Sequence, residues 1–235
     1  MALTYRTKAS TAGSTSQPVT LSFTIQTGDV LLALCIMQGD DVPRTGGSPT
    51  RGAQTFVQAG STQTGSKEAS AAVWYIIDPT VGTADISVPN DTPHVLDLSA
   101  VSFYGTGAEY FGVSESNTTV ADPSLTIDSV PEGSALVNAF GSGYKDLASA
   151  SDNVLDTYDY AGYTTQSQYK IAPSTANQTL PWTQPSDDVA NVLAAWEEVV
   201  GLTPKTAATG DANTSTDALS GHMVFRASIG DNVDA

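Results

Sequence analysis

The chain reads as all-β, a two-sheet β-sandwich built from two pseudo-repeated halves. Three observations predict this. Short apolar or alternating runs recur between clusters of Gly, Pro, Asn and Asp, which is how strands and their turns are written. No stretch sustains a period of 3.6 residues, the mark of an amphipathic helix. A four-part pattern also appears twice. In the first half Gly28-Asp29 leads into the apolar run Val30–Met37, then Ala72–Pro79 and Leu96–Tyr104. In the second, Glu132-Gly133 leads into Ser134–Phe140, then Thr165–Pro173 and Val189–Glu198. Tyr75 and Pro79 match Tyr169 and Pro173 at one offset, and Phe103 matches Trp196 almost at that offset. A repeat of this length exceeds a short solenoid unit and points to layered sheets.

The elements follow in order. Residues 1–19 read as a polar N-terminal arm. Leu21, Phe23 and Ile25 alternate with Thr20, Ser22, Thr24 and Gln26, a half-buried strand. Val30–Met37 is apolar throughout and too short for a buried helix, so it reads as a central strand covered on both faces. Residues 38–54 carry Gly39, Asp40, Asp41, Pro43, Gly46, Gly47, Pro49 and Gly52 and form a loop. Strands are expected near 54–59, 71–77, 84–88 and 95–104, then at 109–116, with a loop at 117–123. Leu125-Thr126-Ile127 opens the second half, whose long polar loop spans 141–152. Further strands are expected at 154–160, 163–172, 178–182 and 189–199. The last is also compatible with a helical face, through Val192, Ala195, Trp196 and Val199, but its counterpart at 95–104 favours a strand. The pseudo-repeats therefore run over about 28–104 and 133–199 within a sandwich at 20–200. Residues 201–235 read as a linker or arm with a final strand at 223–229, able to pair within its own sandwich or with a neighbour's.

Composition narrows the function classes. Among 235 residues there are 25 acidic and 9 basic side chains, a net charge of −16, yet only 14% of residues are charged. The polar surface is thus made of Ser, Thr, Asn, Gln and Gly. Nine scattered cations cannot neutralise a phosphate backbone, so nucleic acid is not the expected partner. Cys35 is the single cysteine, so no intrachain disulfide forms, and its apolar run predicts a buried, inert thiol. No secretory signal follows Met1–Lys8, and the eight apolar residues 30–37 fall short of the roughly 20 that a membrane helix needs.

Catalytic material is sparse. His94 and His222 have no nucleophile motif nearby and read as solvated turn residues. Nucleophile elbows, phosphate loops, dinucleotide fingerprints and Cys/His metal clusters do not occur. Among the loop acids, Asp40, Asp41, Asp146, Asp152, Asp187 and Asp188 could pair as in a polysaccharide hydrolase, which needs two carboxyl groups about 5–10 Å apart. Asp40-Asp41 and Asp187-Asp188 could also offer oxygen ligands to calcium, without the EF-hand spacing. No cofactor is otherwise expected. Trp74, Tyr75, Phe103 and Trp196 occupy corresponding strand positions and read as packing residues. Tyr144, Tyr158, Tyr160 and Tyr163 cluster among Asp, Asn, Ser and Gly, the composition of an adaptable binding surface, and mark where a ligand would be sought. The sequons at Asn117, Asn177 and Asn213 read as coincidences of a Ser/Thr-rich chain.

The pattern built on Gly28-Asp29, Trp74-Tyr75, Asp78-Pro79, Ser102-Phe103, Tyr169 and Trp196 resembles jelly-roll-like sandwich domains of tailed-phage virion proteins. The likeness covers about residues 20–200; the second half departs from it at Gly133-Ser134 and Ala172-Pro173. It implies a non-enzymatic structural role, such as a capsid decoration, head-fibre or similar accessory component. Expected partners are other virion or capsid proteins, in a homo-oligomer assembled in the host cytoplasm. The alternative is a carbohydrate- or receptor-binding adhesin module of tail or fibre type that engages a host-surface glycan.

Overall fold

The computed structural model describes residues 2–38, 47–63, 69–90, 95–143, 149–150, 152–160, 163–183 and 187–199. They form seventeen strands and no helix. The first half contains β1 (Thr4–Ser14), β2 (Val19–Ile25), β3 (Asp29–Gln38), β4 (Thr50–Arg51), β5 (Gln54–Thr55), β6 (Val57–Gln63), β7 (Ser70–Ile77), β8 (Gly82–Val88) and β9 (Leu96–Tyr104). The second contains β10 (Ala108–Val120), β11 (Ser124–Val130), β12 (Ala135–Ser142), β13 (Ser149–Ala150), β14 (Asn153–Tyr160), β15 (Tyr163–Ile171), β16 (Ala176–Thr183) and β17 (Asp187–Glu198). Residues Met1–Thr203 make one compact unit.

Each half builds a large and a small antiparallel sheet. The large sheets run β1-β9-β3-β7-β6 and β10-β17-β12-β15-β14; the small ones run β2-β8-β4-β5 and β11-β16-β13. The chain crosses repeatedly between the two sheets of each half, with the consecutive strands β6 and β7, and β14 and β15, paired within a large sheet; this is the strand order of a jelly roll, and it occurs twice. In the first half the fifth strand is bent. Its start, β5, pairs with β4 in the small sheet, and its continuation, β6, pairs with β7 in the large one. Phe56 marks the bend and is buried.

The two large sheets face one another as the two-sheet sandwich, and each small sheet covers the outer face of its own large sheet. The alternation along β3 shows why its sequence is apolar throughout. Leu31, Ala33, Cys35 and Met37 enter the central core between the halves, while Leu32, Leu34 and Ile36 enter the outer core beneath β2 and β8. In the small sheet only one face is covered, so β2 alternates strictly between buried and exposed residues.

Pairing registers superpose one half on the other. Leu34 pairs with both Trp74 and Ala100, as Asn138 pairs with both Gln168 and Leu193. The irregularities repeat as well. Bulges fall after Tyr5 in β1 and Tyr110 in β10, and after Gln58 in β6 and Val154 in β14. Bulges at edge strands increase local twist and blunt the edge against further pairing.

Two local expectations are corrected. The N-terminal segment 1–19 is not an arm along its length: Thr4–Ser14 is the edge strand of the first large sheet, paired with β9. Its polar sequence reflects faces that are only partly covered: the described side chains of the strand are exposed or half-buried. The loop expected at 117–123 is also shortened, because β10 runs on to Val120 against Asp187–Asn191 of β17. The ambiguous segment that begins at Val189 is strand as far as Glu198, the end of β17. Residues 201–235, with the strand expected at 223–229, lie outside the described residues, as do Asp40, Asp41, His94, Asp146 and His222. Among the described residues no helix is long and apolar enough to cross a membrane.

Candidate functional site at the seam between the halves

The seam is where the large sheets meet, and its aromatic residues obey the pseudo-two-fold relation of the halves. Tyr5 of β1 stacks on Tyr169 of β15 with ring centroids 4.6 Å apart and planes at 12°. Its counterpart, Tyr110 of β10, stacks on Tyr75 of β7 at 5.6 Å and 5°. Phe103 meets Tyr169 edge-on at 6.0 Å, as Trp196 meets Tyr75 at 5.5 Å. Every one of these contacts joins one half to the other. Such pairs contribute about 0.5–1.5 kcal/mol each beyond the area they bury. The arrangement is that of an isologous dimer interface carried within one chain.

On one flank the symmetry breaks. Asp97 of β9 is fully buried and accepts hydrogen bonds from the Gly13 amide and the Thr165 hydroxyl, both at 2.5 Å. One turn of the pleat away, the Ser99 and Ser167 hydroxyls are 2.6 Å apart. The register places Ala190 and Ala71 at the positions related to Asp97 and Thr165, and Val192 and Val73 at those related to Ser99 and Ser167. One flank is therefore polar and its mate apolar. Burial disfavours the charged form of Asp97 and raises its pKa to about 6; the bonds from Thr165 and Gly13 pull it down, and the nearby Asp156 carboxylate pushes it up. Lys8 adds a further bond across the seam, donating from Nζ to the Val154 carbonyl at 2.7 Å. On the opposite flank Glu115 of β10 accepts the Ser61 amide of β6 at 2.8 Å.

Of the four tyrosines read as a ligand surface, Tyr163 is buried, at 3% exposure, so its ring serves packing rather than the surface. Tyr158 is half-buried, 6.5 Å from Tyr163 between centroids, and its ring fills the space above Gly13. Tyr160 ends β14, and Tyr144 lies outside the described residues. Tyr158 and Tyr163 thus border the polar flank. Of the loop acids, Asp188 accepts a bond from the Thr119 hydroxyl on β10, and Asp152 donates its amide to Gln168 Oε1 at 3.1 Å. Among the described residues no three His, Cys, Asp or Glu side chains gather at metal-binding distance. Cys35 is fully buried; burial pushes its thiol up to about 12, against a small lowering by Ser99.

The second difference between halves lies beneath the second small sheet. Leu34, Trp74 and Leu98 of the first half are replaced by Asn138, Gln168 and Asn191. Asn138 Nδ2 donates to Asn191 Oδ1 at 2.6 Å and to the Val192 carbonyl at 2.8 Å, and Gln168 Nε2 donates to Asn138 Oδ1 at 3.1 Å. Beside them Trp182 packs against Phe140 with ring centroids 4.9 Å apart and planes tilted by 33°. At the far end of the seam an open groove of about 670 Å³ is lined by Tyr5, Asn153, Tyr169, Lys170, Ile171 and Pro173.

Sequence reasoning missed Asp97 and Tyr5. The signal for Asp97 was its phase. Asp97, Ser99, Val101 and Phe103 share one face of β9, so the acid had to point where Phe103 points. No protein-family model, curated protein or solved structure matches the chain.

Proposed function

We propose that this chain is a non-enzymatic structural component of a virion, an accessory protein that docks on neighbouring capsid or tail subunits. The observation that carries the reading is the jelly-roll strand order occurring twice, the two rolls held back to back by four aromatic contacts. Jelly rolls recur in capsid proteins, and the step from fold to role is one of architectural analogy. Further support comes from a chain that invests its polar residues in joining sheets: Asp97, Ser99, Thr165 and Ser167 bond to one another or to backbone. The net charge of −16 keeps such a subunit dispersed before assembly.

The test is co-purification with particles. An antibody against the chain should label intact virions from a producing culture. Removing residues 204–235 should leave the melting temperature of the remaining unit unchanged while lowering incorporation several-fold. Absence of the full-length chain from purified particles would overturn the proposal.

A further inference from the structure

The polar flank of the seam goes beyond a structural role. We propose that Asp97, Thr165 and Gly13 form a proton-operated latch that fastens the two halves more tightly in acid than at neutral pH.

The geometry sets how the latch works. Asp97 belongs to the first half and Thr165 to the second, so their bond crosses the seam. The Gly13 amide occupies Oδ1 and the Thr165 hydroxyl occupies Oδ2. Neither partner is a cation, so the ionised carboxylate is held without a counter-charge in a site that water does not reach, which is costly. A proton placed on Oδ2 removes that cost, and Thr165 then accepts the hydrogen bond that it previously donated. A hydroxyl can exchange these roles; a lysine or arginine in its place could not. The related pair on the other flank, Ala190 and Ala71, does the same packing with no polar group at all, so the acid is not required for the seam to close.

Among the described residues, the titratable groups on the surrounding faces are Asp156 and Tyr158 of β14, Tyr163 of β15, Lys8 of β1 and Cys35 of β3. Asp156 is the carboxylate among them, and its charge adds to the penalty on Asp97.

The sign follows from linkage. The folded-state pKa of Asp97, about 6, is raised above the ordinary value of 3.8. Its favourable contribution is therefore complete below the ordinary value and is lost as the pH rises through about 6. The difference corresponds to a weakening of the folding equilibrium on the order of 100-fold between pH 4 and pH 8.

The experiment is thermal unfolding of the full chain across that range, for the wild type and for Asp97→Asn. The amide reproduces the protonated acid, with Nδ2 facing Thr165 and Oδ1 facing Gly13, and cannot ionise. Asp97→Asn should match the wild type in acid and exceed it by several degrees at pH 8. Because the other carboxylates titrate in both proteins, the difference between the two curves isolates Asp97. Thr165→Val should move the step to higher pH, since a bond that favours the charged form is lost, and Asp156→Asn should move it to lower pH. Hydrogen exchange of the Gly13 amide should slow on acidification beyond its intrinsic pH dependence in the wild type alone. Parallel melting curves for wild type and Asp97→Asn would overturn the latch, as would a variant less stable at every pH.

Discussion

Gly141 governs how closely the halves approach. It sits on β12 where the second large sheet meets the first, and a Cβ built on it would fall 2.7 Å from the Ser70 carbonyl oxygen and 2.8 Å from that of Gln38. Both are backbone atoms of neighbouring strands and cannot swing aside. The register gives Met37 as the related residue in the first half, so a large side chain on one side is matched by none on the other. Gly141→Ala should therefore destabilise the protein by about 1–3 kcal/mol, the cost of overpacking a close contact. Chemical denaturation should show a lower midpoint with an unchanged slope. A variant as stable as the wild type would mean that the sheets slide apart at little cost. The same residue-scale reasoning explains Asn138, Gln168 and Asn191. Each occupies a position that is apolar in the first half; Asn138 and Gln168 bond through both ends of their amides, whereas Asn191 accepts through Oδ1 and leaves its buried Nδ2 without a partner among the described residues.

At the scale of elements, β1 shows what a polar strand contributes. Its side chains are mixed and its outer edge is open, yet it covers one side of β9 from Tyr104 to Leu96 and carries Tyr5, Lys8 and Gly13 into the seam. Removing residues 2–14 should abolish soluble expression or lower the melting temperature by more than 10 °C, in the manner of a lost core element. Soluble yield and circular dichroism would measure this, and a truncated protein that folds normally would return the segment to the status of an arm. The contrast with β3 shows which parts of the fold were legible. Val30–Met37 announced itself because both faces of that strand are covered, and β2 because one face is. In β1 the pairing edge is satisfied by backbone bonds alone, which leave no mark on side-chain pattern. The aromatic seam was half legible for the same reason. Tyr75 and Tyr169 stood out as a repeated pair, but their stacking partners Tyr110 and Tyr5 precede the repeats as the sequence delimits them. The Asp97 flank needed knowledge of which faces meet, and periodicity does not carry that.

For the whole molecule the question is whether the halves are two domains on a string or one folding unit. Their shared core contains Leu31, Val73 and Phe103 from one half with Val137, Val192 and Trp196 from the other. Each half alone would expose that face of its large sheet, an apolar area larger than a soluble monomer normally shows. The covalent link between β9 and β10 is short, Gly105-Thr106-Gly107, and adds little beyond keeping the halves at high effective concentration. A protease site inserted between Thr106 and Gly107 and then cut should therefore leave both fragments together. They should co-elute at the size of the intact chain in size-exclusion chromatography and separate only in denaturant. The uncut protein should melt in a single transition, because opening the seam costs both halves their central core. Fragments that part under native conditions would show instead that the aromatic seam is too weak to hold without the chain, and that each small sheet stabilises its own half.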